Sequence, residues 1–148
     1  MTKVEMAGLA LACAMFATSS QAEIIKPVKD SKADLAGVMF KRADAVNETK
    51  GGNSTTDVVT FTSRDSAFQT GMFKSGPSHE EVKGPGGFPY NEFLYFISGG
   101  ARLTSADGSV MVVNAGEAVT IPKGWIGMFD TKGYTKLYTT YDPDAAKK

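Results

Sequence analysis

Between Glu92 and Phe129 the chain alternates short apolar runs with turn-forming residues. Phe93 to Ile97, Val110 to Val113, Ala118 to Ile121 and Ile126 to Phe129 are separated by Ser98-Gly99-Gly100, Ser105-Ala106-Asp107-Gly108, Asn114-Ala115-Gly116 and Pro122-Lys123-Gly124. Runs this short are too brief for a helical stripe, and their Val, Ile, Phe and Tyr suit a strand, while Gly, Asp and Pro between them supply turns. The stretch therefore predicts four strands in tight antiparallel connection. Upstream, Asp57 to Ser63 reads as a strand, Ala67 to Phe73 as a second with Gly71 weakening its interior, and Ser78 to Lys83 as a third. Downstream, Tyr134 to Tyr141 alternates as a final strand. Many short strands at such spacing build a sandwich or barrel, so the predicted class is all-β.

The flanking segments have a different texture. Residues 23–56 read as an N-terminal arm and flexible loop: 23–35 is polar, Leu35 to Phe40 fits either a first strand or a short helical turn, and 43–56 is loop by composition with Gly51-Gly52 as its most flexible point. The barrel itself is expected over 57–141, and 142–148 as a frayed tail. The first 22 residues combine Lys3, an apolar core from Ala7 to Ala17, and Ser20 and Ala22 in the small-residue positions before a cleavage site. That pattern predicts a signal peptide and a secreted or periplasmic protein, with no stable membrane insertion after cleavage because the apolar run is short. Cleavage would remove Cys13, the single cysteine.

Composition narrows the function. The 148 residues suffice for one domain with a real core. Sixteen basic and sixteen acidic residues give zero net charge and no basic run, which argues against a nucleic-acid partner. With one histidine and no oxyanion motif, a serine-hydrolase triad cannot be assembled.

Several of these residues resemble the cupin superfamily, whose fold is a double-stranded β-helix, or jelly-roll barrel. The first cupin motif ends in a Glu followed after six residues by Gly, as Glu92 and Gly99 are. The second opens with Gly and, after five residues, Pro-x-Gly, as Gly116, Pro122 and Gly124 do. The match is closest to the branch that includes EutQ-like and ureidoglycine aminohydrolase-like domains. Its members often read Pro-x-Gly-aromatic-x-Gly-x-aromatic, as Pro122, Gly124, Trp125, Gly127 and Phe129 do, and later Lys-x-Tyr, as Lys136 and Tyr138 do. The resemblance covers roughly residues 66–141 and implies a single-domain barrel, with a homodimer as one expected assembly.

Metal-binding cupins carry two His before the Glu and a third after the Pro-x-Gly triplet, a set suited to Fe, Mn, Ni or Zn. Here Gly-Gly-Phe-Pro-Tyr-Asn precedes Glu92, and Gly127 holds the third position. No metal or other cofactor is therefore expected. The weaker alternative is a one-His, two-carboxylate set from His79, Glu81 and Glu92, resembling a facial triad.

Candidate chemistry centres on Glu92. By two-residue alternation Leu94 and Phe96 share its face, which the resemblance places inside the barrel. A carboxylate among apolar side chains has its charged form disfavoured, which equips it as an acid or base unless a cation or amide ties it up. Lys136, if it points inward, is that cation. Tyr90, Tyr95, Trp125 and Phe129 are the aromatic candidates for ligand binding; at a barrel mouth Trp125 and Tyr90 would stack on a ring or sugar, whereas aromatic residues of a β-rich chain otherwise fill its core. The leading expectation is metal-independent binding of a small-molecule ligand. The alternative is a metal-free acid–base enzyme acting on a small polar or sugar-like substrate, with Glu92 and Lys136 as its catalytic pair. A third is a contact module whose interior is filled by Leu94, Phe96, Val110 and Val112.

Overall fold

The computed structural model describes residues 25–145, so the predicted signal peptide, Cys13 and the last three residues of the tail lie outside the described part. Nine strands follow two short helical turns. Helix α1 spans Lys32–Leu35 and a 3-10 turn spans Val38–Lys41, so the segment from Leu35 to Phe40 is helical rather than extended. The strands are β1 (Val46–Lys50), β2 (Asn53–Thr62), β3 (Phe68–Ser75), β4 (Ser78–Val82), β5 (Asn91–Ser105), β6 (Val110–Asn114), β7 (Ala118–Ile121), β8 (Gly127–Thr131) and β9 (Tyr134–Tyr141).

All pairing is antiparallel. One sheet runs β1, β2, β3, β9, β5, β7, and the other runs β6, β5, β8, β4. Strand β5 belongs to both. Its first half pairs β9 and β7, and its second half pairs β6 and β8. Ser98-Gly99-Gly100, expected to end a strand, is instead the corner where β5 passes from one sheet to the other. Register shifts there between Phe96 and Ser98, and Gly99 adopts a φ of 70°, where a Cβ would collide with the Gly133 carbonyl.

The sheets curl over a core of Leu94, Phe96, Ala101, Leu103, Val113, Ile121, Phe129 and Tyr138. A second cluster, Met39, Val58 and Met72, lies on the opposite face of the first sheet. Leu35, Phe40, Ile97 and Leu137 pack around it, so the helical segment acts as its lid. Ser31 caps α1 with a reciprocal box: it accepts from the Asp34 amide at 3.2 Å, and its own amide donates to the Asp34 carboxylate at 2.9 Å.

Three expectations change. Residues 43–56 are not a loop, because β1 and the start of β2 form a hairpin turning at Gly51-Gly52. Every β1 side chain is exposed, so the hairpin rests on backbone pairing and leaves no apolar alternation to read. The start of the tail is held: the Asp142 amide donates to the Ala67 carbonyl at 2.8 Å, and Lys123 reaches Asp142 and Asp144 at 3.0 and 2.8 Å. Finally, Val110 and Val112 are exposed, so they do not fill the interior.

Candidate functional site

Glu92 is the second residue of β5 and Lys136 the third of β9. Alternation turns both inward, Glu92 with Leu94 and Phe96, Lys136 with Tyr134 and Tyr138. The Lys136 ammonium donates to the Glu92 carboxylate at 2.7 Å, with the two residues only 8 and 5 % exposed. The same ammonium lies 5.2 Å from the Phe73 ring centroid and 5.7 Å from those of Tyr134 and Tyr138. A charge this far from water needs such company, because desolvation outweighs an imperfect pair.

The pair forms part of the wall of a cavity of about 410 Å³, within the range of roughly 300–1,000 Å³ typical of small-molecule sites. Aromatic side chains make up much of that wall: Phe73, Phe88, Tyr90, Trp125, Phe129, Tyr134 and Tyr138. Phe88 meets Tyr90 edge-on at 5.2 Å, and the Trp125 indole nitrogen donates to Ser105 at 3.1 Å, which fixes its ring. Gly71 makes room for Tyr138, since a Cβ there would sit 2.5 Å from the phenol oxygen. That phenol donates to Asp57 at 2.9 Å.

The tyrosines are held neutral. Burial, then the charges of Glu92 and Asp57, pushes Tyr90 up to about 12. Tyr134 is raised further by burial and by Glu80 and Glu92, and Tyr138 by burial and its contact with Asp57. At ordinary pH these phenols keep their protons as hydrogen-bond donors, as Tyr138 does toward Asp57, and do not serve as phenolate bases.

Five of the residues expected from sequence, Glu92, Lys136, Tyr90, Trp125 and Phe129, meet in this cavity. Tyr95 does not: it follows Leu94 on β5, so alternation turns it to the outer face, where it is exposed. His79 and Glu81 are also turned away. They occupy the face of β4 opposite Glu80 and Val82, His79 against Asp130 and Glu81 against Lys83. They therefore do not join Glu92, and among the described residues no three His, Cys, Asp or Glu side chains gather as a metal site. The sequence reading missed Asp57, Glu80, Phe73, Phe88, Tyr134 and Tyr138. The two-residue step that turns Lys136 inward also turns Tyr134 and Tyr138 inward, so those two were within reach of the same argument.

Residues 62–138 match the EutQ-like cupin domain family. No curated protein matches the chain by sequence. Among solved structures, the chain is similar to the EutQ protein of Clostridium difficile, with 24% identity and a TM-score of 0.53 over 69% of this chain and 79% of that one. It is also similar to a DUF861-family protein of unknown function from Pseudomonas syringae pv. tomato, at 18% identity and a TM-score of 0.58 over 66% of this chain. The match spans only 44% of the Pseudomonas protein. A Rhizobium leguminosarum protein of unknown function matches at 17% identity and a TM-score of 0.54, over 80% of this chain and 99% of that one. Likeness at these identities establishes the fold and leaves the activity to the site.

Proposed function

The chain belongs to the EutQ-like cupin domain family, and on that premise we propose that it binds a small molecule in the mouth of its barrel without a metal. The observation that carries this reading is an aromatic-walled cavity of about 410 Å³ with a buried Glu92–Lys136 pair in its wall. The residues present do not fit the metal of other cupins: the three His positions hold non-ligands, and the one remaining carboxylate is engaged by an ammonium at 2.7 Å. Tyr90 and Trp125 offer ring faces, the latter fixed by its indole bond to Ser105, while the ion pair supplies orientation. Native mass spectrometry and elemental analysis of protein purified without tag or chelator test the reading. A retained organic ligand and no stoichiometric transition metal are expected. A stoichiometric metal would overturn it.

The direct contact between Glu92 and Lys136 favours one second reading, metal-free acid–base catalysis. A carboxylate and an ammonium sharing a proton-bearing hydrogen bond beside a cavity are equipped to exchange protons with a bound substrate. Glu92→Gln separates the readings, since Gln keeps an oxygen acceptor for Lys136. A binding protein keeps its ligand at reduced affinity, whereas an enzyme keeps its ligand and loses turnover.

Export completes the proposal. The leader-like residues 1–22 support it, and N-terminal sequencing of the mature protein should begin near Glu23.

A further inference from the structure

The charge on the cavity wall is lopsided. Asp57, Glu80, Glu92 and Asp142 line it, against Lys136 as the one cation among the lining residues. Lys136 is matched to Glu92 at 2.7 Å, and Asp142 to Lys123 at 3.0 Å. Asp57, on β2, and Glu80, on β4, remain. Among the described residues no Lys, Arg or His pairs with either, and Asp57 accepts a hydrogen bond only from the neutral phenol of Tyr138. The two carboxylates come from different sheets and so bracket the space between them. Clefts lined by one sign of charge concentrate the opposite sign. Burial is the first cause of the raised Tyr90, and the charges of Glu92 and Asp57 add to it.

We propose that this cavity selects a small organic cation, an ammonium or quaternary ammonium compound, over neutral or anionic molecules of the same size. Aromatic ring faces attract such cations through their quadrupoles, and the site already demonstrates that chemistry on its own lysine. The Lys136 ammonium is held by one carboxylate and the rings of Phe73, Tyr134 and Tyr138. Tyr90, Phe88 and Trp125, with Asp57 and Glu80, supply a second set of the same components for a guest. An anionic guest would have to displace Glu92 from Lys136 and would still face two unmatched carboxylates.

The inference rests on the binding reading, and the test distinguishes failure of one from failure of the other. Trp125 is the single tryptophan of the chain and lines the cavity, so its fluorescence reports occupancy. The full chain is titrated at constant ionic strength with choline, tetramethylammonium, dimethylbutanol as the neutral carbon analogue of choline, and acetate. Choline and tetramethylammonium should shift the emission saturably, dimethylbutanol should bind at least about tenfold more weakly, and acetate should not bind. Glu80 is exposed, so Glu80→Gln should fold normally while weakening choline several-fold and leaving dimethylbutanol unchanged. Equal affinity for choline and dimethylbutanol, tighter acetate binding, or indifference of choline to both Glu80→Gln and Asp57→Asn would sink the cation assignment and leave the binding reading standing. No response to any probe, together with no retained ligand in native mass spectrometry, would sink both.

Discussion

The two faces of the β3–β9 ladder are built on opposite plans. On the outer face Met72 stands across from Leu137, and with Val58 and Met39 it forms a filled, apolar cluster under the helical lid. At the next rung of the ladder Phe73 stands across from Lys136, and that face opens on a cavity with an ion pair in its wall and three neutral tyrosines near it. The same strands thus keep cohesion on one side and chemistry on the other. A small barrel can tolerate a hollow, charged interior because a second apolar layer outside the sheet adds burial that the cavity gives up.

Breaking the inner face is expected to have the largest effect. Lys136→Ala leaves Glu92 buried without its cation, which typically costs about 3–5 kcal/mol, read by urea or thermal unfolding. Replacing both partners with apolar residues of similar volume, Glu92→Leu with Lys136→Met, should recover most of that loss while abolishing ligand binding. If the double variant stays as unstable as the single, the pair holds the fold and not merely the site.

The outer face should answer to volume rather than charge. Met72 is fully buried, so Met72→Ala should cost about 2–5 kcal/mol through lost contacts and a cavity. Ligand affinity should be retained in the folded fraction.

Alkaline titration addresses the inner face alone, where the three tyrosines lie. Tyr90, Tyr134 and Tyr138 all have folded values raised above the ordinary phenol value of about 10. Their contribution to stability is therefore complete below about pH 10 and declines as the pH rises toward and through the Tyr90 value of about 12. The melting temperature should fall on this limb, and more gently in Tyr134→Phe. An equal slope in that variant would remove Tyr134 from the account.

The smallest effect belongs to the lid. Ser31→Ala removes the hydroxyl that caps α1, leaving the backbone half of the box, and should cost about 0.5–1 kcal/mol, seen as faster amide exchange around Leu35 and Met39 and no change at the cavity.

The sequence made the barrel legible because its short apolar runs are well marked by turn residues; alternation put Leu94 and Phe96 on the face of Glu92, and the family resemblance turned that face inward, since Phe93, Tyr95 and Ile97 make the other face equally apolar. Lys136 needed the family pattern as well, since lysine is ordinarily exposed. The β1–β2 hairpin escaped because Val46 to Lys50 carries no buried side chain, although Gly51-Gly52 is a hairpin-turn signal in its own right. Asp57 and Glu80 escaped for a different reason. Each is an ordinary acidic residue on its own strand, and only the closure of two sheets brings them to one wall.

That closure has a consequence for biosynthesis. Strand β9 is inserted between β3 and β5, yet it is the last strand of the barrel to be translated. Until residue 141 has left the ribosome the first sheet has a gap at its centre, and Glu92 has no cation to meet. The emerging chain must therefore remain open through nearly all of its synthesis, a state in which chaperones have time to act before the barrel shuts.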